Sequence, residues 1–303
     1  MFMNFAVGIA QHLFAATGWF ISLLPEVISE PFRYQFMIRA LMTSSVVGVV
    51  TGVLSCFVIL KRWALLGDAI SHAVLPGVAI AYLVGFPLLI GAFFSGGVTA
   101  IGIGFIQRNT RVKEDSAMGI MFTAAFALGV VMISRIATST HLMHILFGNV
   151  LGVSTDVFVT TFIAAVVALL IVFLFFKQFV LYAFDSAHAS AIGMPVGAIH
   201  YGLMLLLTLV IVTSLETVGV ILVVAMLIIP GSTASLLTRK LPVMITISVI
   251  VAVLASWIGL YASFVYDVAS GGSIVLAAFF FFVLAGIAAP HGPVRSRLAR
   301  RGA

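Results

Sequence analysis

The chain has 303 residues, 63% of them hydrophobic and only 8% charged, with a mean hydropathy of +1.28. Soluble domains carry roughly 45–50% apolar and about 25% charged residues, so a cytosolic enzyme and a disordered protein are both excluded. The apolar runs are long and continuous, which excludes an outer-membrane β-barrel and predicts an all-α, polytopic transmembrane helical bundle forming one integral membrane domain over residues 1–303.

Residues 1–24 carry no Lys, Arg, Asp or Glu and lack the basic start of a signal peptide. The segment 1–36 is read as an extra helix or an interfacial segment. Beyond it, charges and Gly/Pro breaks divide the chain into stretches of about 20 residues, the length that crosses a bilayer core of about 30 Å. Nine spans are predicted, near 40–60, 63–84, 88–107, 117–135, 157–176, 198–215, 218–238, 243–265 and 273–290. Cys56, the only cysteine, falls in the first of them, where it reads as a small core residue.

The net charge of +6 does not imply nucleic acid, because the 15 Lys and Arg lie in ones and twos between apolar runs. Alternation of the spans puts twelve of these 15 on one side: Lys61, Arg62, Arg108, Arg111, Lys113, Lys177, Arg239, Lys240, Arg295, Arg297, Arg300 and Arg301. The positive-inside rule makes that side the cytoplasm and places the C-terminus there. No internal repeat is evident, which argues against an inverted-repeat secondary transporter.

The second predicted span contains the sharpest chemical signal. Asp68 and His72 are four residues apart, so on a helix they share one face. Counting about 1.5 Å per residue from Arg62 places Asp68 roughly 9 Å and His72 roughly 15 Å into the membrane. A carboxylate or imidazole there is costly unless it faces a partner or a cavity. Pro76 cannot donate to the carbonyl four residues back, which is that of His72. Imidazole, carboxylate and backbone oxygen together suit Mn²⁺, Zn²⁺ or Fe²⁺. The spacing alone also fits a pair that hydrogen-bonds within itself or to a neighbouring helix and only fixes packing. Two residues do not close a metal site, whereas a twofold dimer supplies two Asp and two His.

Other polar positions are less specific. Glu216 falls near a helix turn and reads as an interfacial carboxylate. His141 and His144 sit in an external loop, with a role in admitting metal as the functional alternative. His188, His200 and His291 fall on or near the cytoplasmic side without ligand spacing. There is no G-x-x-x-x-G-K-[ST] loop, no H-E-x-x-H and no G-x-S-x-G, so no catalytic residue is expected.

Four ordered stretches carry a family resemblance: Val58–Arg62 leading into Gly67–Ala79 (GDAISHAVLPGVA), His144–Asn149 (HILFGN), Phe184-Asp185 through Ala191–Pro195, and Thr217–Pro230 (TVGVILVVAMLIIP). From about Phe32 to His291 the chain resembles the permease subunits of bacterial ATP-binding-cassette importers for manganese, zinc and iron, with a type II importer fold, and looks closest to the manganese-type members. The resemblance implies transport of Mn²⁺, with Zn²⁺ and Fe²⁺ as alternatives, and no permanently bound cofactor. It also implies a second permease copy, cytoplasmic ATPase subunits, an external metal-delivering solute-binding protein and a place in the bacterial cytoplasmic membrane. Asp68 and His72 fall on the family's metal path. The segment 184–196 is implied to be the coupling segment toward the ATPase, with Asp185 suited to capping a short helix and Ala187, Ala189, Ala191, Gly193 and Pro195 supplying a small, apolar docking surface.

The sequence departs from the family in three places. Glu216 stands where an amide is common, Gly231-Ser232 stands where two alanines are expected, and the segment before Leu24 is long. Two other functions compete. One is a secondary cation transporter using Asp68 and Glu216; the other is a membrane enzyme with Asp68 and His72 as an acid/base pair, for which no nucleophile is found.

Overall fold

A computed structural model describes residues 2–22, 25–134, 148 and 150–289. Among them no strand occurs, and the helices follow the apolar runs. They are α1 (Phe2–Ser22), α2 (Glu26–Ser29), α3 (Gln35–Leu60), α4 (Leu66–Ala73), α5 (Leu75–Val84), α6 (Leu88–Asn109), α7 (Glu114–Ile133), α8 (Thr155–Leu174), α9 (Phe176–Phe184), α10 (Ser186–Ala191), α11 (Val196–Leu237), α12 (Leu241–Tyr266) and α13 (Ser270–Ala288). Short 3-10 turns cover Glu30–Arg33 and Val150–Gly152. The segment expected to be an extra helix or an interfacial stretch is helical through α1.

Among the described residues eight helical stretches are long and apolar enough to cross a membrane, with α4 and α5 together forming one of them. One of the eight, α11, runs for 42 residues. At about 1.5 Å per residue this is roughly twice the thickness of a bilayer core. Gly219, at φ 80° and ψ 167°, breaks the helical path inside it. Such a conformation excludes side chains and is open to glycine. The two halves of α11 therefore supply two of the nine predicted spans, and the expected turn at Glu216 to Gly219 is this kink.

The described residues cluster into two compact units. The first draws on Met1–Ile59, Asn149–Ile163 and Ala225–Ala303; the second on Leu60–Gly148 and Ala164–Val224. In the first unit α12 packs along α3 through small residues. A Cβ at Gly52 would lie 3.0 Å from the Val249 Cα, and one at Gly48 would lie 3.4 Å from the Ala252 carbonyl. Small residues let membrane helices approach to backbone contact, where polar side chains join them. Ser248 accordingly donates to the Gly52 carbonyl at 2.7 Å, and the Ser55 hydroxyl accepts from the Gly231 N–H at 2.8 Å. Cys56 is fully buried in this unit, as expected of a core residue. Toward its other end, Phe14 of α1 packs against Phe158 at 4.9 Å between ring centroids.

In the second unit α4 to α7 pack on one another. Gly77 of α5 and Gly91 of α6 face each other so closely that a Cβ on either would overlap the other's carbonyl. On α7, Gly129 lies against Leu75 and Pro76. These contacts bring two helices, α6 and α7, around the junction of α4 and α5, where the site lies.

Candidate metal site

The α4 helix begins at Leu66, with the Leu66 N–H donating to the Trp63 carbonyl at 2.9 Å. Leu66, Gly67, Ala69, Ile70 and Ala73 are buried. The remaining face carries Asp68 and His72, whose side chains are 48% and 30% exposed. The four-residue spacing brings His72 Nε2 to 3.5 Å from Asp68 Oδ1. His72 Nδ1 is buried and has no hydrogen-bond partner. Phe122 and Phe126 of α7 stand beside the imidazole, each with its centroid 5.5 Å away, at interplanar angles of 60° and 85°.

Helix α4 ends at Ala73 and α5 starts at Leu75, with Pro76 in its first turn. Backbone groups released at such a break need a partner, because lipid supplies none. Ser95 of α6 meets part of this need by donating its hydroxyl to the Ala73 carbonyl at 2.6 Å. The break thus sits against α6 on one side and α7 on the other, with the open face of α4 left to Asp68 and His72.

Among the described residues no three His, Cys, Asp or Glu side chains converge on one point. Among the described residues, Asp68 and His72, the two side chains anticipated from the sequence, stand together without a third such group beside them. The loop holding His141 and His144 lies outside the described residues, as does His291. Glu216, expected at an interface, is on α11 three residues before the kink. It lines a cavity of about 300 Å³ with Val74, Leu75 and Val78, which follow His72 in the chain. The structure does not join its carboxylate to the Asp68–His72 pair.

The segment anticipated for coupling is the six-residue α10. Asp185 caps it, its Oδ1 accepting from the His188 N–H at 2.8 Å. The other end closes with Gly193 N–H to Ser190 O at 3.0 Å and Met194 N–H to Ala189 O at 3.0 Å. This is a Schellman pair, made possible by Gly193 at φ 82°. Asp185, Ala187, Ala191, Gly193 and Pro195 are exposed, whereas Ala189 is fully buried and anchors the helix. Gly193 and Pro195 also line a cavity of about 680 Å³ together with Lys177 and Gln178.

Next to it lies a cluster that sequence reasoning missed. Tyr182 of α9 and His200 of α11 share a hydrogen bond of 2.6 Å between the phenol oxygen and Nδ1. Lys61 Nζ sits 4.1 Å from the Tyr182 ring centroid, and the buried Trp63 meets His200 edge-on at 5.3 Å. Burial pulls the Lys61 ammonium below its ordinary value, with Glu114 partly opposing. Burial and Glu114 together push the Tyr182 phenol up, against a smaller effect of Arg108. Lys61, Trp63, Tyr182 and His200 were the available signal, but residues so far apart in sequence cannot be paired without the fold.

A bundle of apolar helices with one carboxylate–imidazole pair beside a broken span is the architecture of a membrane permease. The profile of the ABC 3 transport family matches residues 33–289, and the chain belongs to that family. It is a permease subunit of an ABC transporter and a multi-pass protein of the cytoplasmic membrane. The manganese transport system membrane protein MntC of Halalkalibacterium halodurans is 53% identical over 92% of this chain and 96% of its own length. The chelated iron transport system membrane protein YfeD of Yersinia pestis is 49% identical over 91% and 93%. Among solved structures, PsaBC from Streptococcus pneumoniae in complex with Fab superposes with a TM-score of 0.78 at 44% identity, covering 88% of this chain and 96% of that one. This family membership does not favour the secondary-transporter alternative.

Proposed function

We propose that the chain is the permease of an ATP-driven importer of divalent transition-metal ions, with Mn²⁺ as the principal substrate and Fe²⁺ and Zn²⁺ as further ones. The observation that carries this reading is the Asp68–His72 pair, presented on the unburied face of a broken membrane helix with Nε2 and Oδ1 3.5 Å apart. Carboxylate oxygen and imidazole nitrogen suit this group of metals. The names of the manganese and iron transport relatives support the same class.

Two ligands from each of two chains would surround one ion, so a second copy of this permease is the natural partner across the site. ATP hydrolysis falls to a separate cytoplasmic ATPase pair, and this chain performs no catalysis. The capped α10, with its exposed Ala187, Ala191, Gly193 and Pro195, presents a small rigid knob of the kind that fits a groove on such an ATPase. A solute-binding protein delivers the metal from outside. The distribution of basic residues supports a cytoplasmic C-terminus.

The test is uptake of radioactive Mn²⁺ into proteoliposomes holding this permease, with and without its ATPase. Uptake is expected only with the ATPase and ATP, and Ala191→Arg is expected to abolish ATPase copurification while the permease still elutes as a folded species. Uptake driven by an ion gradient without the ATPase would overturn the reading. The same vesicles, carrying Ser296→Cys, report orientation: an impermeant thiol reagent is expected to label the inside-out preparation and spare the right-side-out one.

A further inference from the structure

A histidine that binds metal uses one nitrogen and holds the other as N–H, and the partner of that N–H fixes the ring's tautomer and direction. In most metal sites the partner is a carboxylate, a carbonyl or water, which also makes the ligand nitrogen more basic. At His72 the division between the nitrogens is visible, and no carboxylate or carbonyl of the described residues serves as that partner. Nε2 lies 3.5 Å from Asp68 Oδ1, whereas Nδ1 is buried and finds no hydrogen-bond partner among the described residues. Phe122 and Phe126 flank the imidazole at 5.5 Å each and stack on one another at 5.9 Å and 27°.

These two residues belong to a single stripe of α7. Phe122, Phe126 and Gly129 recur at helical spacing on one face. A Cβ at Gly129 would lie 2.6 Å from the Leu75 Cβ and 3.1 Å from the Pro76 Cδ. Gly129 thus lets α7 close onto the break after His72, and this approach brings both phenyl rings to the imidazole. Aromatic faces accept N–H groups only weakly. They can orient a ring without raising its basicity as a carboxylate would. For a transporter this is the useful combination, because a site on a pathway must bind its ion and also release it.

We propose that Phe122 and Phe126 are positioning residues that hold the His72 imidazole with Nε2 toward Asp68, making Nε2 the metal-binding nitrogen and excluding Nδ1. The proposal rests on His72 being a metal ligand, as set out under Proposed function. It predicts that loosening the bracket harms a nitrogen-preferring ion more than an oxygen-preferring one.

The experiment measures KM and maximal rate of Zn²⁺ and Mn²⁺ uptake by the assembled transporter in proteoliposomes. The variants are Phe122→Leu, Phe126→Leu, Phe126→Tyr, His72→Ala and His72→Ala combined with Phe126→Leu. Phe126 is 37% exposed and has room for the tyrosine hydroxyl. Each leucine variant is expected to raise KM for Zn²⁺ about 10-fold, the lower end of what loss of a ligand's supporting partner costs. The maximal rate should hold, and the KM for Mn²⁺ should rise less. Phe126→Tyr keeps a ring and should stay near the parent. In the His72→Ala background Phe126→Leu should add nothing, since its effect passes through the imidazole.

Leucine variants with parental KM beside an impaired His72→Ala would overturn the bracket and leave the ligand reading intact. Additive effects of His72→Ala and Phe126→Leu would also overturn it, since the phenyl ring would then act elsewhere. A His72→Ala variant with parental KM for both metals would instead remove the ligand reading on which the bracket rests.

Discussion

The interface of α3 with α12 and the face of α4 toward α7 both place polar side chains among apolar helices, but they treat them in opposite ways. Along α3 and α12, Ser44, Ser248 and Ser256 are buried and each donates a hydroxyl to a carbonyl, in the case of Ser248 to Gly52 on the neighbouring helix. The Trp257 indole donates to the Ser45 hydroxyl at 3.0 Å. Around α4, Asp68 and His72 stay partly exposed, and His72 Nδ1 finds no hydrogen-bond partner. A polar group that only holds helices together is fully answered by its neighbours. A group kept available for a ligand is answered incompletely by its own chain, and in a membrane that incompleteness costs free energy. An Asp at the centre of a membrane helix costs about 2.5–3.5 kcal/mol on insertion scales, so such a residue persists only for a reason.

This contrast is breakable, and the largest effect is expected at the open site. Asp68→Asn and His72→Ala, compared at matched membrane levels, should reduce metal uptake by more than the roughly 10- to 100-fold that loss of a mere supporting partner costs a metal site. Thermal stability of the purified protein should hardly change. Parental uptake of Mn²⁺, Zn²⁺ and Fe²⁺ by both variants would reassign the pair to packing.

Next in size is Gly52→Val, which thrusts a branched side chain at Val249 across a gap of 3.0 Å to its Cα. Overpacking of this kind costs about 1–3 kcal/mol. It should appear as a lower melting temperature in detergent and a smaller yield, with normal uptake per folded molecule. A metal-specific defect at normal stability would show that the interface does more than pack.

The smallest effect is expected from Ser256→Ala. It removes a hydroxyl 2.9 Å from the Ala252 carbonyl and 3.3 Å from the Ser44 carbonyl. Polar contacts between membrane helices average about 0.6 kcal/mol, so thermal melting should shift slightly and uptake not at all. Strong loss of uptake by this variant would erase the distinction between the two regions.

The eight apolar helical stretches among the described residues, one of them the kinked α11, were legible because crossing a bilayer core imposes a length and an apolarity that any sequence shows directly. Gly85 and Pro87, which lie between the predicted spans 63–84 and 88–107, stand at the end of α5 and the start of α6, since glycine readily takes the φ of 76° found at that helix end and proline suits a helix start. The pair at 68 and 72 was legible for a similar reason, as four residues along a helix always return to the same face. The apolar α11 illustrates the other side. The turn near Glu216 to Gly219 was legible as the break between the spans 198–215 and 218–238, but Glu216 beside a cavity with Val74 and Val78 depends on how α11 meets α5. Nothing local in either segment encodes that meeting.

By itself the sequence determined which segments are long and apolar enough to enter the membrane, in what order the basic residues punctuate them and where an ionisable pair shares a helical face. Each of these follows from one-dimensional quantities: run length, charge order and spacing. Tertiary structure alone decided which His72 nitrogen is buried, that two phenyl rings of α7 stand against the imidazole, and that Tyr182 hydrogen-bonds His200. These contacts join residues tens of positions apart, or across a loop and a helix turn. They depend on close approaches at Gly77, Gly91 and Gly129 that fix distances to fractions of an ångström, below anything that hydropathy or periodicity can resolve.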